Sequence, residues 1–393
     1  MKSYYKPIGN HIRLVDERNK GLQVQHLLGL SISKKFIPSV ANIIGTDMEN
    51  YKIIRKNQFA CSTMQVRRDK KMPVALLKDL DEAIISQAYP IFEVKDEREL
   101  LPEYLMMWFE RAEFDREACF HAVGGVRGSL EWEDFESMQI PIPHIDKQRE
   151  IVKEYNTIQN RIALNQQLIH KLEETAQAIY KQWFVDGIDL KNLPIGWKVG
   201  TLGEVMDTKG YIRGPFGSSL KVSDMQNKGI PVYEQQHAID NHRNFRYFIS
   251  EEKHNSLKRF TVKENDFVVS CSGTIGRITE IDNGDQKGII NQALLILRVN
   301  KSVLHPKIFK YFITSPEGNS LLVQDAGGSA QVNIAKREQL VSIPLVIPDP
   351  EAQNLISKKL IVLDSFIKHK IIEKQKLSEM KDLLLSKLAT IEN

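Results

Sequence analysis

Residues 151–183 read Ile151-Val-Lys-Glu-Tyr155-Asn-Thr-Ile158-Gln-Asn-Arg-Ile162-Ala-Leu-Asn165-Gln-Gln-Leu-Ile169-His-Lys-Leu172-Glu-Glu-Thr-Ala176-Gln-Ala-Ile179-Tyr-Lys-Gln-Trp183. Apolar side chains recur in alternating steps of four and three, with Asn165 filling the one gap, which is the heptad pattern of a helix that pairs along a seam. A second stretch repeats it: Ile356, Leu360, Leu363, Ile367, Leu377, Leu384 and Leu388, interrupted by Lys370, Lys374 and Lys381. Seams this long exceed what an ordinary helix buries on its own globule. They predict two coiled-coil helices, over residues 146–186 and 349–393, paired antiparallel. Gly187, Pro194 and Gly196 mark the end of the first.

Outward from the helices, the chain is written twice. The offset that carries Ile84-Ile85-x-Gln87-Ala88 onto Ile289-Ile290-x-Gln292-Ala293 also carries Val94 onto Val299 and Ile142-Pro143 onto Ile347-Pro348. It further places Gln148 on Gln353, Ile151 on Ile356 and Asn165 on Lys370. Small loop shifts bring Asn57-x-Phe59 onto Asn265-x-Phe267, Pro102 onto Pro306 and Gly124-Gly125 onto Gly327-Gly328. The period is far too long for a solenoid, so two copies of one globule-plus-helix module are expected. The globules span 1–145 and 187–348. Runs such as Asp266–Cys271 and Gly288–Val299 read as strands, and Pro102–Ala118 and Pro306–Gln324 as short helices opened by proline. The fold class is therefore α+β, two sheet-rich domains joined by two long antiparallel helices with internal pseudo-twofold duplication.

Composition narrows the function. With 393 residues, 42% hydrophobic and 26% charged, the chain is long enough for several real cores and too apolar for disorder. It holds no uncharged apolar run of membrane-spanning length, and its first residues carry Lys2, Lys6 and Pro7 without an apolar core, so a cytoplasmic protein is expected. Cys61, Cys119 and Cys271 are widely spaced and unpaired in pattern, and read as reduced, buried thiols. A net charge of +4 permits a nucleic-acid partner without establishing one. Residues 52–71 hold Lys52, Arg55, Lys56, Arg67, Arg68, Lys70 and Lys71 against Asp69 alone, which suits a phosphate-facing patch or a solvated charged face.

No phosphate loop, dinucleotide turn, zinc helix or nucleophile elbow occurs, and the Asn/Asp-Pro-Pro-Tyr tetrapeptide of DNA amino-methyltransferases is absent. Glu93-x-Lys95 downstream of Asp79 and Asp81 has a nuclease-like look, but the second copy puts Arg298 and Asn300 there. Nor do the histidines show ligand spacing. No catalytic residue and no metal site is expected. What remains are loops rich in Gly, Ser and basic residues, Lys209–Lys221 and Ser270–Arg277, with Ser62–Lys71 in the equivalent place of the first module. Such loops let backbone amides approach phosphates while Arg, Gln, Asn and Ser read base edges. The candidates for DNA contact are Arg67, Arg68, Lys70 and Lys71 in the first globule, and Arg213, Ser218, Ser219, Lys221, Gln235, Gln236, Arg277 and Asn333 in the second.

Two variable globules, each followed by a heptad helix, resemble the specificity subunit of type I restriction-modification systems. The resemblance is carried by Leu172-Glu-Glu-Thr-Ala-Gln-Ala-Ile-Tyr-Lys-Gln-Trp-Phe184, Leu193-Pro-Ile-Gly-Trp-Lys-Val-Gly-Thr-Leu-Gly-Glu204, Gly214-Pro-Phe-Gly-Ser-Ser219, Ser272-Gly-Thr-Ile-Gly276 and Ile343-Pro-Leu-Val-Ile-Pro-Asp-Pro-Glu-Ala-Gln353. It implies two target-recognition domains that each read half of a bipartite double-stranded DNA site. It also implies a chain without catalysis or cofactor of its own, docked to two methyltransferase subunits that hold S-adenosylmethionine, with translocase-nuclease subunits joining for cleavage. The first module departs from the pattern, having Asp16-Glu-Arg-Asn-Lys20 where the second has its Gly-Pro-Phe-Gly-Ser-Ser loop. Helices of about 40 residues at ~1.5 Å rise span about 60 Å, ample to hold two readers one turn of DNA apart, roughly 34 Å. A stand-alone DNA-cleaving restriction enzyme, a coiled-coil scaffold without DNA and a half-length chain acting as a dimer are the rival readings.

Overall fold

The computed structural model describes residues 5–39, 46–122, 128–325 and 332–390. The Gly124-Gly125 and Gly327-Gly328 pairs lie outside the described residues. The chain divides into two compact units, residues 1–166 with 371–393, and residues 167–370.

In the first unit a four-stranded antiparallel sheet runs in the order Ile12–Val15, Ile91–Val94, Phe59–Cys61, Val74–Leu76. One face buries an aromatic core in which Phe59 stacks on Phe92, with ring centroids 4.9 Å apart and Phe109, Phe114 and Phe135 around them. The other face packs Ala60 and Ile91 against Leu28, Ile54 and Ile85. Both faces of the central strands are covered, which explains why every residue in them but Glu93 is apolar.

The second unit repeats that order with different residues: Met206–Arg213, Leu294–Val299, Asp266–Ser270, Ile278–Glu280. Other correspondences follow. Asn57 and Asn265 both adopt left-handed backbone, φ 65° and 66°, just before the strand they lead into. Tyr5–Pro7 pairs with Gln139–Pro141 as Lys198–Thr201 pairs with Pro344–Ile347, each pair closing the globule where a long helix departs.

The expected short helices are each two. Pro102–Phe109 is followed by Ala112–His121, with Arg111 extended between them and its guanidinium 4.1 Å from the Trp108 ring centre. Pro306–Thr314 stops at extended Ser315 because Pro316 disfavours helical backbone in the residue before it. Gly288–Val299 likewise splits. Ile289–Ile290 pairs in parallel with Val232–Tyr233, and only Leu294–Val299 enters the main sheet. The break is the Asn291 side chain, which accepts the Ala293 amide and turns the chain.

The long helices run from Ile145 to Lys181 and from Pro350 to Lys387. The first continues as one wider turn, Gln182–Asp186, before Gly187. In each helix a glutamine one turn in is wired back to its globule. Gln148 accepts from the Leu101 amide at 2.9 Å and donates to the Glu99 and Pro143 carbonyls at 2.7 and 2.9 Å. Gln353 accepts from His305 at 2.8 Å and donates to Val303 and Pro348 at 3.0 and 2.9 Å.

Within the first unit, Ile151 and Tyr155 share a core with Leu385 and Leu388, Arg161 pairs with Glu373 at 2.7 Å, and Lys374 donates to Gln166 at 2.7 Å. The two helical segments there run in opposite directions. In the second unit Ala176, Tyr180 and Phe184 share a core with Ile356 and Leu360.

Among the seam residues, Ile151, Tyr155, Ile158, Asn165, Ile169, Ile356, Leu360, Ile367 and Leu388 are buried, and Ile162, Leu172, Ile179, Leu363, Lys370, Leu377 and Leu384 are half-buried. Toward each helix C-terminus burial moves one residue along, from Ile179 to Tyr180, from Trp183 to Phe184 and from Leu384 to Leu385. A helix of 3.6 residues per turn drifts ~20° per heptad from a 3.5 repeat, so a straight helix over several heptads brings the next residue onto the buried face.

Candidate nucleic-acid interface

In the second unit the sheet register decides which loops meet. Arg213 lies opposite Leu295, which lies opposite Val269, and Leu294 lies opposite Ser270. The ends of two strands and the start of a third therefore coincide, and the loops 214–221, 271–277 and 291–293 leave from one end of the sheet. Gly214 donates to the Leu294 carbonyl at 3.0 Å, and a Cβ there would stand 1.8 Å from the Asn291 oxygen, so only glycine lets the chain turn out at this point. The 271–277 loop is held from inside: Ser270 Oγ donates to the Thr274 carbonyl at 2.6 Å and accepts from the Arg277 amide at 3.0 Å. Gly276, at φ 78°, passes close under Val323 and Asn319, which ties this loop to the 323–325 and 332–334 hairpin.

Six of the candidates fall at this end. Arg213 is half-buried at the strand terminus, while Ser218, Ser219, Lys221 and Arg277 are exposed. Gln235 donates to the Ser272 carbonyl and so joins the same cluster. Gln235 and Gln236 stand on a helical turn, Gln235–Ile239, rather than in a loop. The turn is built on buried His237, whose Nδ1 accepts the Glu234 amide at 2.8 Å while Nε2 lies 3.1 Å from the Asn244 carbonyl. Gln236 points toward Glu234, 3.4 Å away. Asn333 sits opposite Gln324 in the hairpin, and its side chain lies outside the described part.

The first unit uses the same end of its sheet. The Cys61 amide donates to Pro90 as Cys271 donates to Ala293, and both thiols are buried, which raises their pKa, Cys271 up to about 11. Beyond Cys61 the chain forms a basic helical turn, Val66–Asp69, between two left-handed residues, Gln65 at φ 63° and Lys70 at φ 52°. Arg67, Arg68, Lys70 and Lys71 are all exposed. Arg68 already pairs with Asp69 at 2.6 Å.

The turn is anchored from below on the helix Ala112–His121. Cys119 Sγ donates to the Val66 carbonyl at 3.5 Å, and Asp115 accepts the Met72 amide at 3.1 Å. Asp115 is itself paired with buried Lys34 at 2.8 Å. The loop pattern of small and basic residues gave no sign of this support. Phe216 and Met64 are large apolar side chains exposed at these same loop ends, and neither stood out as a contact residue because each is a single apolar position in a polar stretch.

The carboxylates that suggested a nuclease do not converge. Glu93 accepts from Arg13 and Gln58, and Lys95 donates to the Gly9 and Asn10 carbonyls. Among the described residues no three His, Cys, Asp or Glu side chains stand close enough to hold a metal ion, and no helix is long and apolar enough to cross a membrane.

A family model described as "Type I restriction modification DNA specificity domain" matches residues 37–174 and 194–381, one match for each module. The chain belongs to the type I restriction-modification DNA-specificity family. Two relatives from Methanocaldococcus jannaschii are the putative type I restriction enzyme MjaX specificity subunit, 20% identical over 73% of this chain, and the MjaVIII specificity subunit, 24% identical over 65%. The matched regions take in 66% and 62% of those proteins, so the chain spans under two thirds of the length of the curated relatives it matches. The crystal structure of a type I restriction-modification S subunit from M. genitalium shares the fold with a TM-score of 0.58 at 14% identity, over 98% of this chain and 95% of that one. Like it, this member of the specificity family combines mixed helix-and-sheet domains with long helices.

Proposed function

We propose that this chain is the DNA-reading subunit of a type I restriction-modification assembly in the cytoplasm, each globule (1–145 and 187–348) recognising one half of a bipartite site. The observation that carries the reading is the repeated sheet order, with basic and hydroxyl-bearing loops leaving the same end of the sheet in both units. Phosphates meet Arg67, Lys70, Lys71 and Lys221, and base edges meet Arg213, Gln235 and Arg277. Two copies of one architecture carrying unlike loops suit two unlike half-sites.

The long helices act as an antiparallel coiled coil with pseudo-twofold symmetry, which fixes the distance between readers. Leu355, Val362 and Phe366 in the second unit and Ile372, Met380 and Leu383 in the first remain exposed along the second long helix. Such apolar side chains favour it as the docking surface for two methyltransferase subunits. The chain itself performs no methyl transfer and no cleavage. S-adenosylmethionine is bound by the methyltransferase, and translocase-nuclease subunits complete the cleaving assembly.

The test is a DNA-binding titration across salt followed by an exchange of residues 187–348 for the matching domain of a relative. Log affinity falls linearly with log salt, and Lys221→Ala lowers the slope by about one. The exchange alters one half of the methylated sequence and leaves the other. An exchange that changes both halves, or neither, overturns the two-reader reading.

A further inference from the structure

Phe216 is 63% exposed in a position that the rest of its loop holds firmly. Gly214 is fixed against Leu294 and Asn291, and Pro215 is buried. The Phe216 carbonyl accepts the Ser219 amide at 3.2 Å as the chain enters the turn Gly217–Ser219. The backbone on both sides of the ring is thus anchored while the ring itself meets water. An aromatic ring gains more from burial than most side chains, so one held out on an ordered turn has that gain to offer a partner. Its neighbours say which partner. Ser218, Ser219 and Lys221 follow it on the same loop, Arg213 ends the strand before it, and Arg277 closes the loop that leaves the same end of the sheet, cations and hydroxyls that suit a polyanion and not an apolar protein surface.

We infer that Phe216 is a specificity-determining contact of the second reader, packing its ring on the apolar surface of a base in the half-site. This rests on the DNA-reading function proposed above and deepens it. Two sources of that surface exist in duplex DNA. One is the 5-methyl group of a thymine at the edge of the major groove, and the other is the face of a base exposed by opening a step. In either case the ring discriminates sequence without adding charge, so it acts on specific binding alone. Lys221 on the same turn does the reverse.

The experiment compares the full chain in complex with its methyltransferase, as wild type, Phe216→Ala, Phe216→Leu and Lys221→Ala, on cognate duplex and on an equal length of unrelated duplex. Phe216→Ala loses about tenfold in cognate affinity, keeps its affinity for unrelated DNA and keeps the wild-type salt slope and melting temperature. Phe216→Leu recovers part of the loss. Deoxyuridine in place of each thymine of the second half-site reproduces the loss at one position if the contact is a methyl group. If it is a base face, 2-aminopurine brightens at one step with wild type and not with Phe216→Ala. Cognate affinity within twofold of wild type for Phe216→Ala, or an equal loss on both duplexes, overturns the inference while the DNA-reading function stands. A wild-type complex that does not distinguish the two duplexes overturns both.

Discussion

The matching glutamines make the most direct claim that the two units are one design, and Gln148→Leu tests it. Gln148 is fully buried and spends its amide on three backbone groups, one donor and two acceptors. Leucine fills nearly the same volume and makes none of those bonds. Each net hydrogen bond is worth about 1 kcal/mol, and a buried group left unpaired costs ~1–3 kcal/mol. The apolar replacement returns part of this, so the expected loss is about 3 kcal/mol, a large share of the ~5–15 kcal/mol of a whole domain. With a urea slope of roughly 2 kcal/mol/M, the midpoint of the first unit falls by ~1.5 M.

Trp108 and Trp132 report on the first unit and Trp183 and Trp197 on the second, so paired Trp→Phe backgrounds resolve the two by fluorescence. Gln353→Leu moves the second unit instead, and by less, because Gln353 is only half-buried. The two losses add, as expected for sites without shared partners. A Gln148→Leu midpoint within 0.3 M of wild type, about 0.6 kcal/mol at that slope, would refute the claim that this residue locks helix to globule.

Three further outcomes follow from particular contacts. Lys34→Met removes the cation from a pair whose side chains are 7% and 12% exposed, strands Asp115 and costs ~3–5 kcal/mol. Adding Asp115→Leu restores much of that stability in urea titrations but lowers DNA affinity, since the Met72 amide then loses its anchor. His237 has its pKa lowered by burial, and its Nδ1 accepts a backbone amide, so the folded state prefers the neutral ring. Its contribution is complete above the unfolded value near 6.5 and is lost as pH falls from there toward the lower folded value. The second unit should melt at lower urea at pH 5 than at pH 7, and a flat profile refutes this. Cysteine pairs at Ile151 with Leu388, and at Trp183 with Ile356, should crosslink under mild oxidation, whereas dominant crosslinking of Ile151 with Ile356 would mean parallel pairing.

Much of the architecture was legible because it rests on periodicity. An offset that aligns Ile84 with Ile289 and Gln148 with Gln353 has to preserve the sheet and the helix entry, since a slip by one residue would turn every side chain to the wrong face. The drift of burial onto Tyr180, Phe184 and Leu385 was not legible, for the heptad pattern states which residues are apolar and not how far a straight helix rotates over several turns. The broken helices had a local signal in one copy only. Pro316 announces the break at Ser315, but the break at Arg111 has no such residue and depends on the guanidinium settling over Trp108.

The candidate interface was legible as composition and not as geometry. Glycine, serine and arginine in a loop predict that the loop can approach a phosphate, yet they do not say which loops share an end of the sheet. That followed from the pairing of Arg213 with Leu295 and of Val269 with the same residue. Composition also weights every basic residue alike. Arg68, already satisfied by Asp69, has to give up that pair before it can meet a phosphate, whereas neighbouring Arg67 is exposed and pairs with no carboxylate among the described residues. The exchange of one exposed ion pair for another gains little, because both states are screened by water. Arg68→Ala should therefore weaken DNA binding less than Arg67→Ala, and the ranking of the two in a salt titration decides whether the folded turn or the mere count of charges sets the strength of the first reader.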